Sequence, residues 1–583
     1  MKRSILLLLF FAVIAWGCTP ETQPGNQEII EQNTDDDTGV EIPTVSDVTN
    51  DSDDNIANTS FKNIITITFA ASGATVTGDN AGIVKINGNQ VTATNTGSDA
   101  IKYVLTGTSD NGFFKLYSGK KQALVLKDLN LTNPSGAAIN NQSKKRTFVV
   151  LEGTNKLADG AAYTMEGTED QKAAFFSEAQ LIFSGDGTLT VTATGKAGIT
   201  SDDYIRFLGK QTVNVTSSAG HGIRGKDYIR VDDGIVNVAV SADMKKGFSS
   251  DSLVRITGGT TVMKITGNAA YDEEDQDYTS SGGIKADKLF EMTGGSLSIN
   301  NTGKGGKGIR VGSSTVRETL GTSYVTGGTI DITTSGQKVA YTLNGTSDEK
   351  KSKGIMIGWA VKKDEHTYSD FSGDFVVAGG KITVNCSNAE AIEVKKTLTI
   401  KGGEVYAWSE ADDAINSAST FIIEDGLVCG ISQGNDGLDA NGNFYVKGGV
   451  VYACGKGSPE LAIDANTEGR FKLYVSGGTI FALGGLESGA SLTQTCYQAS
   501  SWSTNKYYSI TVGEDTYVFK TPSSGGTKLV VSGASKPTVK SNVTVSGGTE
   551  IFGGYGVVNG TVSGGSAVTL STYTNSGGGP GRP

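Results

Sequence analysis

Residues 390–416 read EAIEVKKTLTIKGGEVYAWSEADDAIN, and residues 434–455 read GNDGLDANGNFYVKGGVVYACG. In both stretches a glycine pair precedes a short run rich in Val and Tyr, and an apolar residue is flanked by acidic residues. The glycine pair, once replaced by Asp-Gly, recurs every 23 residues, at Gly379-Gly380, Gly402-Gly403, Asp425-Gly426 and Gly448-Gly449. A constant step of this kind indicates an internal structural repeat.

The same pattern extends towards the N-terminus, where the steps lengthen at polar insertions such as residues 270–282 and 337–354. A second marker, a small residue followed by an apolar one, runs in parallel with the first. Its members include Gly198-Ile199, Gly222-Ile223, Gly247-Phe248, Gly283-Ile284, Gly308-Ile309, Gly354-Ile355, Ala391-Ile392, Ala414-Ile415, Gly437-Leu438 and Ala462-Ile463. Two independent markers with one period make a chance repeat unlikely.

Each repeat contains about three short strands and their turns, which is too little to bury an apolar face without its neighbours. The chain has 80 glycines and only 9 prolines, and its apolar runs are short and separated by Gly, Asn and Asp. These features predict an all-β fold, specifically a right-handed parallel β-helix with coils of about 23 residues. A β-propeller is the alternative, although its blades usually need about 40 residues.

The N-terminus predicts export. Residues 1–18 combine two basic residues, an apolar run and small residues ending in Cys18, as in a signal peptide. The ending AWGC resembles a bacterial lipobox with Cys18 as the lipidated residue, so we expect an anchor in the outer membrane or at the cell surface. An ordinary signal peptide with a chance cysteine is the alternative.

Four segments follow from these patterns. After the signal peptide, residues 19–60 contain eleven acidic residues and no basic one, which predicts a disordered acidic tether. We assign residues 61–485 to the β-helix and residues 486–583 to a β-rich C-terminal cap that ends in a disordered tail.

Composition excludes several classes of function. The chain carries a net charge of −11, and without the tether and the signal peptide the body is close to neutral, with no basic stripe suited to nucleic acid. With only two histidines, His221 and His366, a histidine-based catalytic triad or metal site is not expected.

On the strands after the glycine pairs, alternate residues face outward. In the last coils these outward residues become apolar and aromatic: Tyr406, Trp408, Cys429, Ile431, Tyr452, Cys454, Phe481 and Leu483. Stacked at about 4.8 Å, they would form one continuous strip. We expect Tyr406, Trp408, Tyr452 and Phe481 either to bind the apolar faces of sugars or to be covered by the C-terminal segment.

The acidic residues around the second marker also fall into register. Glu390, Asp413 and Asp436 precede the apolar residue, and Glu393, Asn416, Asp439 and Asp464 follow it. Stacked like charges about 5 Å apart repel each other by about 3 kcal/mol per pair at an effective dielectric of 20. Raised pKa values, lysines or a bound cation can offset this repulsion. An all-oxygen ligand set favours calcium, and a solvated polar edge is the alternative.

The two opening stretches, together with LEGTNKLADG at 151–160 and GHGIRGKD at 220–227, resemble the bacterial calcium-binding carbohydrate-binding domain family of right-handed parallel β-helices. The resemblance spans roughly residues 64–485. It implies bound calcium and binding of cellulose or polygalacturonate-type glycans without established catalysis. The calcium ligands it implies are Glu390, Glu393, Asp412, Asp413, Asn416, Asp436, Asp439 and Asn441. This chain departs from the pattern at Leu461, where another acidic residue is expected.

We therefore expect a surface-anchored, calcium-dependent carbohydrate-binding lipoprotein whose partner is a plant-type or acidic polysaccharide and which touches the membrane only through its anchor. A calcium-assisted polysaccharide lyase is a second possibility, in which Arg224, Lys285 or Arg310, at the coil position of Glu393, would act near the acids. A non-catalytic adhesin or spacer is a third.

Overall fold

The computed structural model describes residues 38–42, 51–164, 169–313, 320–362 and 368–574. The expectations for the signal peptide, for Cys18 and for most of the acidic tether concern residues outside these ranges. Among the described residues, no helix is both long enough and apolar enough to cross a membrane. The only helical segments described are 3-10 turns, at Ser52–Asp54, Ile56–Asn58 and Phe552–Gly554.

The first set of repeated strands forms a 14-stranded sheet, here called the first ladder. Its first two strands are antiparallel and all later neighbours are parallel. The strands are Val84–Asn87, Gln90–Asn95, Phe113–Ser118, Ile139–Asn141, Ala173–Ser177, Ala197–Ser201, Ile223–Gly225, Lys246–Ser250, Gly282–Ala286, Lys307–Val311, Lys353–Ile357, Ile392–Val394, Ile415–Ser417 and Leu438–Ala440.

The second and third ladders belong to one 30-stranded sheet, because long strands such as Phe375–Cys386 and Leu398–Ser409 contribute to both. The second ladder contains Asn63–Phe69, Ile101–Ser109, Gln122–Asn133, Thr147–Glu152, Leu181–Gly185, Ile205–Phe207, Tyr228–Val231, Leu253–Ile256, Leu289–Met292, Ser323–Val325, Phe421–Ile423, Phe444–Val446, Leu473–Val475 and Ser491–Leu492. The third contains Thr154–Asp159, Thr188–Ala193, Thr212–Ser217, Ile235–Val240, Thr260–Ile265, Ser296–Asn301, Thr329–Thr334, Leu427–Ser432, Val450–Cys454 and Thr479–Leu483.

These ladders confirm the prediction of an all-β fold with large parallel sheets among the described residues. The predicted stacking of corresponding residues is also found: Ile392 pairs with Ile415, and Ile415 with Leu438. The short four-stranded blades of a propeller do not fit a 14-stranded sheet. The right-handed winding of the coils stays a prediction.

The two sequence markers have different physical causes. In the glycine pairs the second residue has a positive φ, for example 80° at Gly403, which glycine adopts without steric cost. The small residue of the second marker lies where the backbone meets the core, and a Cβ at Gly308 would be 2.5 Å from Cγ2 of Ile332. The residues that follow these markers face one continuous buried apolar cluster, which includes Ile309, Val384 and Val405.

The polar insertions form antiparallel hairpins between successive coils. Their strands are Ala270–Asp272 with Asp277–Thr279, Val339–Leu343 with Thr346–Lys350, and Trp359–Lys362 with Tyr368–Ser372. The long steps in the repeat therefore interrupt neither the first ladder nor the core.

Residues 51–60, which the sequence assigned to the end of the acidic tether, lie on the folded body. Asp54 is buried, and its carboxylate lies 2.9 Å from Nε of Arg146 and 2.9 Å from Nη1 of Arg206. Both arginines are themselves buried, so their charges need a partner. The acidic segment supplies that partner from Asp51 onward.

The C-terminal segment joins the coils by antiparallel pairing. Thr527–Ser532 pairs with Thr479–Leu483 and with Cys496–Ser501, and Ser571–Thr572 extends this edge. Thr75–Thr77 makes a similar antiparallel addition to Asn63–Phe69 at the other end. A separate six-stranded antiparallel sheet contains Tyr507–Val512, Asp515–Lys520, Thr538–Ser546, Thr549–Ile551, Gly556–Val558 and Thr561–Ala567.

Candidate metal centre

The acidic residues singled out by the sequence lie along the last coils of the first ladder. Glu393, Asn416 and Asp439 are direct neighbours in this ladder. Single parallel bridges continue the row from Leu438 to Ile463 and from Ile463 to Leu486. The residues that follow these two, Asp464 and Glu487, therefore extend the acidic row by two coils.

At the end of this row nearer the N-terminus, here called the upper end, a lysine neutralises the acids. Nζ of Lys353 lies 2.8 Å from Oε1 of Glu390 and 2.7 Å from Oε2 of Glu393. Lys395 also contacts Glu393. Burial opposes the charge on Glu393, but the two ammonium groups outweigh it and hold the pKa of Glu393 well below its ordinary value.

Glu390 and Glu393 were predicted as calcium ligands, and the structure places an ammonium group between them instead. Asp412 is also paired with a lysine, since its carboxylate lies 3.1 Å from Nζ of Lys351. Asn441 lies exposed on the turn after Leu438–Ala440 rather than among the buried acids. These four residues therefore do not form one cation site with the rest of the row.

The lower end of the row is different. One carboxylate oxygen each from Asp436, Asp439 and Asp464 lie within 4.8 Å of one another. Asp413 is adjacent, since its Oδ1 accepts a hydrogen bond of 3.0 Å from the backbone N–H of Asp436. The amide of Asn416 donates to Asp439 and, at 3.4 Å, to Asp413. Asn416 is therefore an uncharged residue between Glu393 of the preceding coil and Asp439 of the next.

The pKa values of the acids at this end are shifted upward, opposite to that of Glu393. Burial, and next the charge of Asp436, raises the pKa of Asp439 to about 8. Burial and the neighbouring acids also raise the pKa of Asp413 well above its ordinary value. Asp464 is raised to a pKa of about 10, first by burial and then by its contact with Glu487. Raised pKa values of this kind mean that the carboxyl groups are protonated unless a cation is bound.

The geometry fits a calcium ion. Two oxygens bound to one Ca²⁺ at 2.3–2.6 Å are at most about 5 Å apart, which the 4.8 Å cluster satisfies. Oδ1 of Asp464 is buried and has no hydrogen-bond partner among the described residues. A second acidic group, Asp170 with Glu178 and Asp202, is closer to neutral because Lys172 lies 2.5 Å from Asp202 and 3.0 Å from Asp170.

Sequence reasoning missed Glu487, although a signal for it was present. Leu486 follows Ile463 by the regular 23 residues, so Leu486-Glu487 continues the marker Ile463-Asp464. The predicted end of the coils at residue 485 fell one residue before it. Glu487 is buried and accepts hydrogen bonds from Thr467 at 3.0 Å and from Ser488 at 2.8 Å.

The aromatic strip is closed, which corrects its interpretation as a sugar-binding platform. Tyr452 and Phe481 are 0% exposed and Tyr406 is 5% exposed. The rings of Tyr452 and Phe481 pack 5.2 Å and 5.1 Å from that of Phe519 in the C-terminal segment. Trp408 is half-buried against the same cluster.

The register of this strip is as predicted, since Tyr406 pairs with Cys429, Cys429 with Tyr452 and Tyr452 with Phe481. The C-terminal segment covers the strip because a stacked aromatic face of this size is more stable buried. A sugar cannot stack on these rings in this structure.

Upstream on the outer side of the first ladder the row is basic. Arg224, Lys285 and Arg310 occupy the positions that Glu393 and Asp439 occupy later, with Ser249 and Met356 between them. The coil-position assignment made from sequence is therefore confirmed. Arg310 lies against Trp359, 5.4 Å from its ring centroid, and donates to the carbonyl of Gly358 at 2.7 Å.

Comparison with known proteins gives two similarities. Residues 87–250 match a family model described as "Carbohydrate-binding domain-containing protein", which covers less than half of the chain. Among solved structures, the chain is similar to "Structure of the polysaccharide lyase-like protein from C. thermocellum, Gadolinium derivative", with 20% identity and a TM-score of 0.36 over 45% of this chain and 96% of that chain. A comparison with the curated proteins found no match.

Proposed function

We propose that this protein is a carbohydrate-binding surface lipoprotein that holds calcium at Asp436, Asp439 and Asp464, with Glu487 beside them. The observation that carries the proposal is the approach of one carboxylate oxygen each from Asp436, Asp439 and Asp464 to within 4.8 Å of one another, at a place where burial and neighbouring carboxylates raise the pKa values of Asp439 and Asp464. The match of residues 87–250 to a carbohydrate-binding family supports the class of ligand. Polysaccharide is the partner, and Cys18 is the attachment to the outer membrane or cell surface.

The fold inferred for the coils is a right-handed parallel β-helix. Three parallel ladders share one core, and the crossover between parallel strands of a sheet is right-handed in nearly all known cases. In such a fold every coil presents its outward residues on one long face. That face gives a chain-like ligand many consecutive contacts.

Calcium has two roles in this proposal. Asp436 and Asp439 are buried and come from one coil, while the half-buried Asp464 comes from the next. A cation between them would hold adjacent coils together where their charges otherwise repel. On its exposed side, next to Asp464, the same cation would take oxygen atoms of a glycan, preferably the carboxylate of an acidic sugar.

The proposed activity is binding without catalysis. β-Elimination requires a base within about 3 Å of the proton that it removes. Arg310 is four ladder steps from Asp439, which at 4.8 Å per step is about 19 Å. A base on the basic row would therefore not reach a sugar held by calcium at the acidic end.

The test is binding of the protein to a panel of neutral and acidic polysaccharides, each in calcium and in chelator. We expect binding to an acidic polysaccharide that chelator weakens at least tenfold, and no unsaturated sugar product. The variant Asp436→Asn/Asp439→Asn should lose the calcium dependence. A matched control, Asp110→Asn/Asp331→Asn, removes two exposed acids outside the cluster and should bind as wild type.

Two results would reject the proposal. Failure to bind any polysaccharide would favour an adhesin or spacer. Calcium-dependent binding that persists in Asp436→Asn/Asp439→Asn would place the ion elsewhere.

A further inference from the structure

A basic cleft lies beside the first ladder, far upstream of the acidic end. It has a volume of about 350 Å³ and is lined by Lys172, Lys196, Thr200, His221, Arg224 and Lys245 together with small residues. This volume is within the range of small-molecule sites, about 300–1,000 Å³. Thr200 and Arg224 are neighbours in the first ladder, so the cleft opens on the same outward row as the acids.

Two of the four cations that line the cleft have carboxylate partners. Lys172 lies 2.5 Å from Asp202, and Arg224 lies 2.9 Å from Asp251. Lys196 and Lys245 form no ion pair with any described residue, and the ammonium of Lys196 lies 5.2 Å from the ring centroid of Tyr163. Lys196 and Lys245 are therefore the two lining cations that have no carboxylate partner among the described residues.

Neutral donors complete the lining. Nδ1 of His221 accepts a 3.0 Å hydrogen bond from the backbone N–H of Lys246, so a neutral ring carries its proton on Nε2. The hydroxyl of Thr200 is buried and has no hydrogen-bond partner among the described residues, although the side chain lines the cleft. A buried hydroxyl without a partner is unusual, and a polar ligand in the cleft would satisfy it.

The cations near the cleft also act on two neighbouring groups, Lys246 and His221. Lys246 follows the lining residue Lys245, and its Nζ donates to the carbonyl of Met244 at 2.6 Å. Its pKa falls to about 7, first through burial and then through Lys285 and Lys245. Burial lowers the pKa of His221 well below its ordinary value, and Lys246, Lys245 and Arg224 lower it further.

We propose that this cleft binds a sugar residue carrying a single anionic group, a carboxylate or a sulfate, without calcium. This inference rests on the proposed function for the ligand being a carbohydrate. Lys196, Lys245 and Arg224 face the anionic group, while Thr200 and His221 serve sugar hydroxyls. Asp202 and Asp251 at the border would repel a ligand with closely spaced charges, such as a polyphosphate or nucleic acid.

The experiment is ligand-detected NMR on the full chain in chelator with glucuronate and galactose 6-sulfate, and with glucose and galactose as neutral controls. We expect the anionic sugars to bind and the neutral ones not to. Lys196→Gln/Lys245→Gln should weaken binding at least tenfold. Lys210→Gln/Lys264→Gln, which removes two exposed lysines elsewhere, should bind as wild type. Preference between the two anionic sugars identifies the group that is recognised.

The inference is overturned if no anionic sugar binds, if neutral sugars bind equally well, or if Lys196→Gln/Lys245→Gln binds as tightly as the control variant. Thr200→Val keeps the shape of the buried side chain and should weaken sugar binding without lowering the melting temperature. Because these measurements use monosaccharides in chelator, they fail or succeed independently of calcium-dependent polysaccharide binding.

Discussion

Asn416 separates two acidic sites that the sequence makes look alike. Above it, Glu393 is held ionised by Lys353 and Lys395. Below it, the pKa of Asp439 rises to about 8 because burial and other carboxylates act on it. Stacked like charges need compensation in both places. Lysines compensate Glu393, whereas the raised pKa of Asp439 favours its neutral form.

At the residue scale, Lys353→Met tests whether this lysine compensates the charges of Glu390 and Glu393. The change leaves two buried carboxylates without their shared cation, so the free energy of unfolding should fall by about 3–5 kcal/mol. Denaturant unfolding measures this loss. Lys381→Met is the matched control, because Lys381 is 43% exposed and pairs with Glu404 at 3.1 Å, where we expect at most about 1 kcal/mol. Equal effects of the two variants would contradict the compensation.

The raised pKa of Asp439 predicts that, in chelator, the stability of the protein falls as the pH rises. An aspartate titrates near 3.9 when unfolded, whereas Asp439 titrates near 8 in the folded protein. Between these values the folded state binds more protons, so stability falls as pH rises, by on the order of 3–4 kcal/mol from pH 5 to pH 8. Calcium binds the ionised form and should cancel this fall.

Melting temperatures at pH 5, 6, 7 and 8, with calcium and with chelator, measure this dependence. Asp439→Asn removes one titrating group and should make the profile in chelator less steep, while Asp413 and Asp464 keep part of the fall. Asp331→Asn, at an exposed position of the third ladder, should leave it unchanged. A wild-type melting temperature that rises with pH in chelator would contradict the prediction.

At the element scale, the repeat explains how much the sequence could predict. The glycine with positive φ at Gly403 and the close backbone approach at Gly308 are local requirements, so they mark every coil and set the register. The sequence did not reveal Lys353 as the partner of Glu390 and Glu393, because Lys353 precedes them by a whole coil and its hairpin. Lys395, in contrast, is close to Glu393 in sequence.

Tertiary packing decides between the two alternatives that the sequence left open for the aromatic strip, sugar binding and cover by the C-terminal segment. Outward parity predicted which residues form the strip, but parity cannot tell solvent from a covering sheet. Residues 486–583 carried alternating apolar residues of their own, and Phe519 and Phe552 now lie against the strip. The backbone N–H of Phe552 also donates to Glu404 at 2.7 Å, which ties the covering segment to the coils.

Tyr452→Ala tests the covered strip. Tyr452 is fully buried, and its hydroxyl donates to the carbonyl of Lys520 at 2.8 Å. Its truncation should lower the free energy of unfolding by about 3–5 kcal/mol, as for other large buried aromatic residues. Denaturant unfolding checks this value, and Tyr271→Ala on an exposed hairpin is the control. A change below about 1 kcal/mol at Tyr452 would indicate that the strip is open.

At the scale of the whole molecule, the outward row of the first ladder changes sign along its length. Arg224, Lys285 and Arg310 come first, and Glu393, Asp439 and the residues after it follow. Seven ladder steps separate Arg224 from Asp439, which is about 34 Å at 4.8 Å per step. The basic cleft and the acidic cluster therefore lie along the same outward row of the first ladder.

This arrangement predicts avidity for long anionic polysaccharides. A polymer that reaches both sites binds the second one intramolecularly, which can raise the affinity by 10²–10⁴ over a single site, whereas a trisaccharide is too short to engage both. In calcium, neutralising either Lys196 with Lys245 or Asp436 with Asp439 should reduce polymer affinity at least a hundredfold. Each change should leave trisaccharide binding at the intact site unaltered. Surface plasmon resonance with immobilised protein compares the two ligands, and equal loss for polymer and trisaccharide would show that the sites act separately.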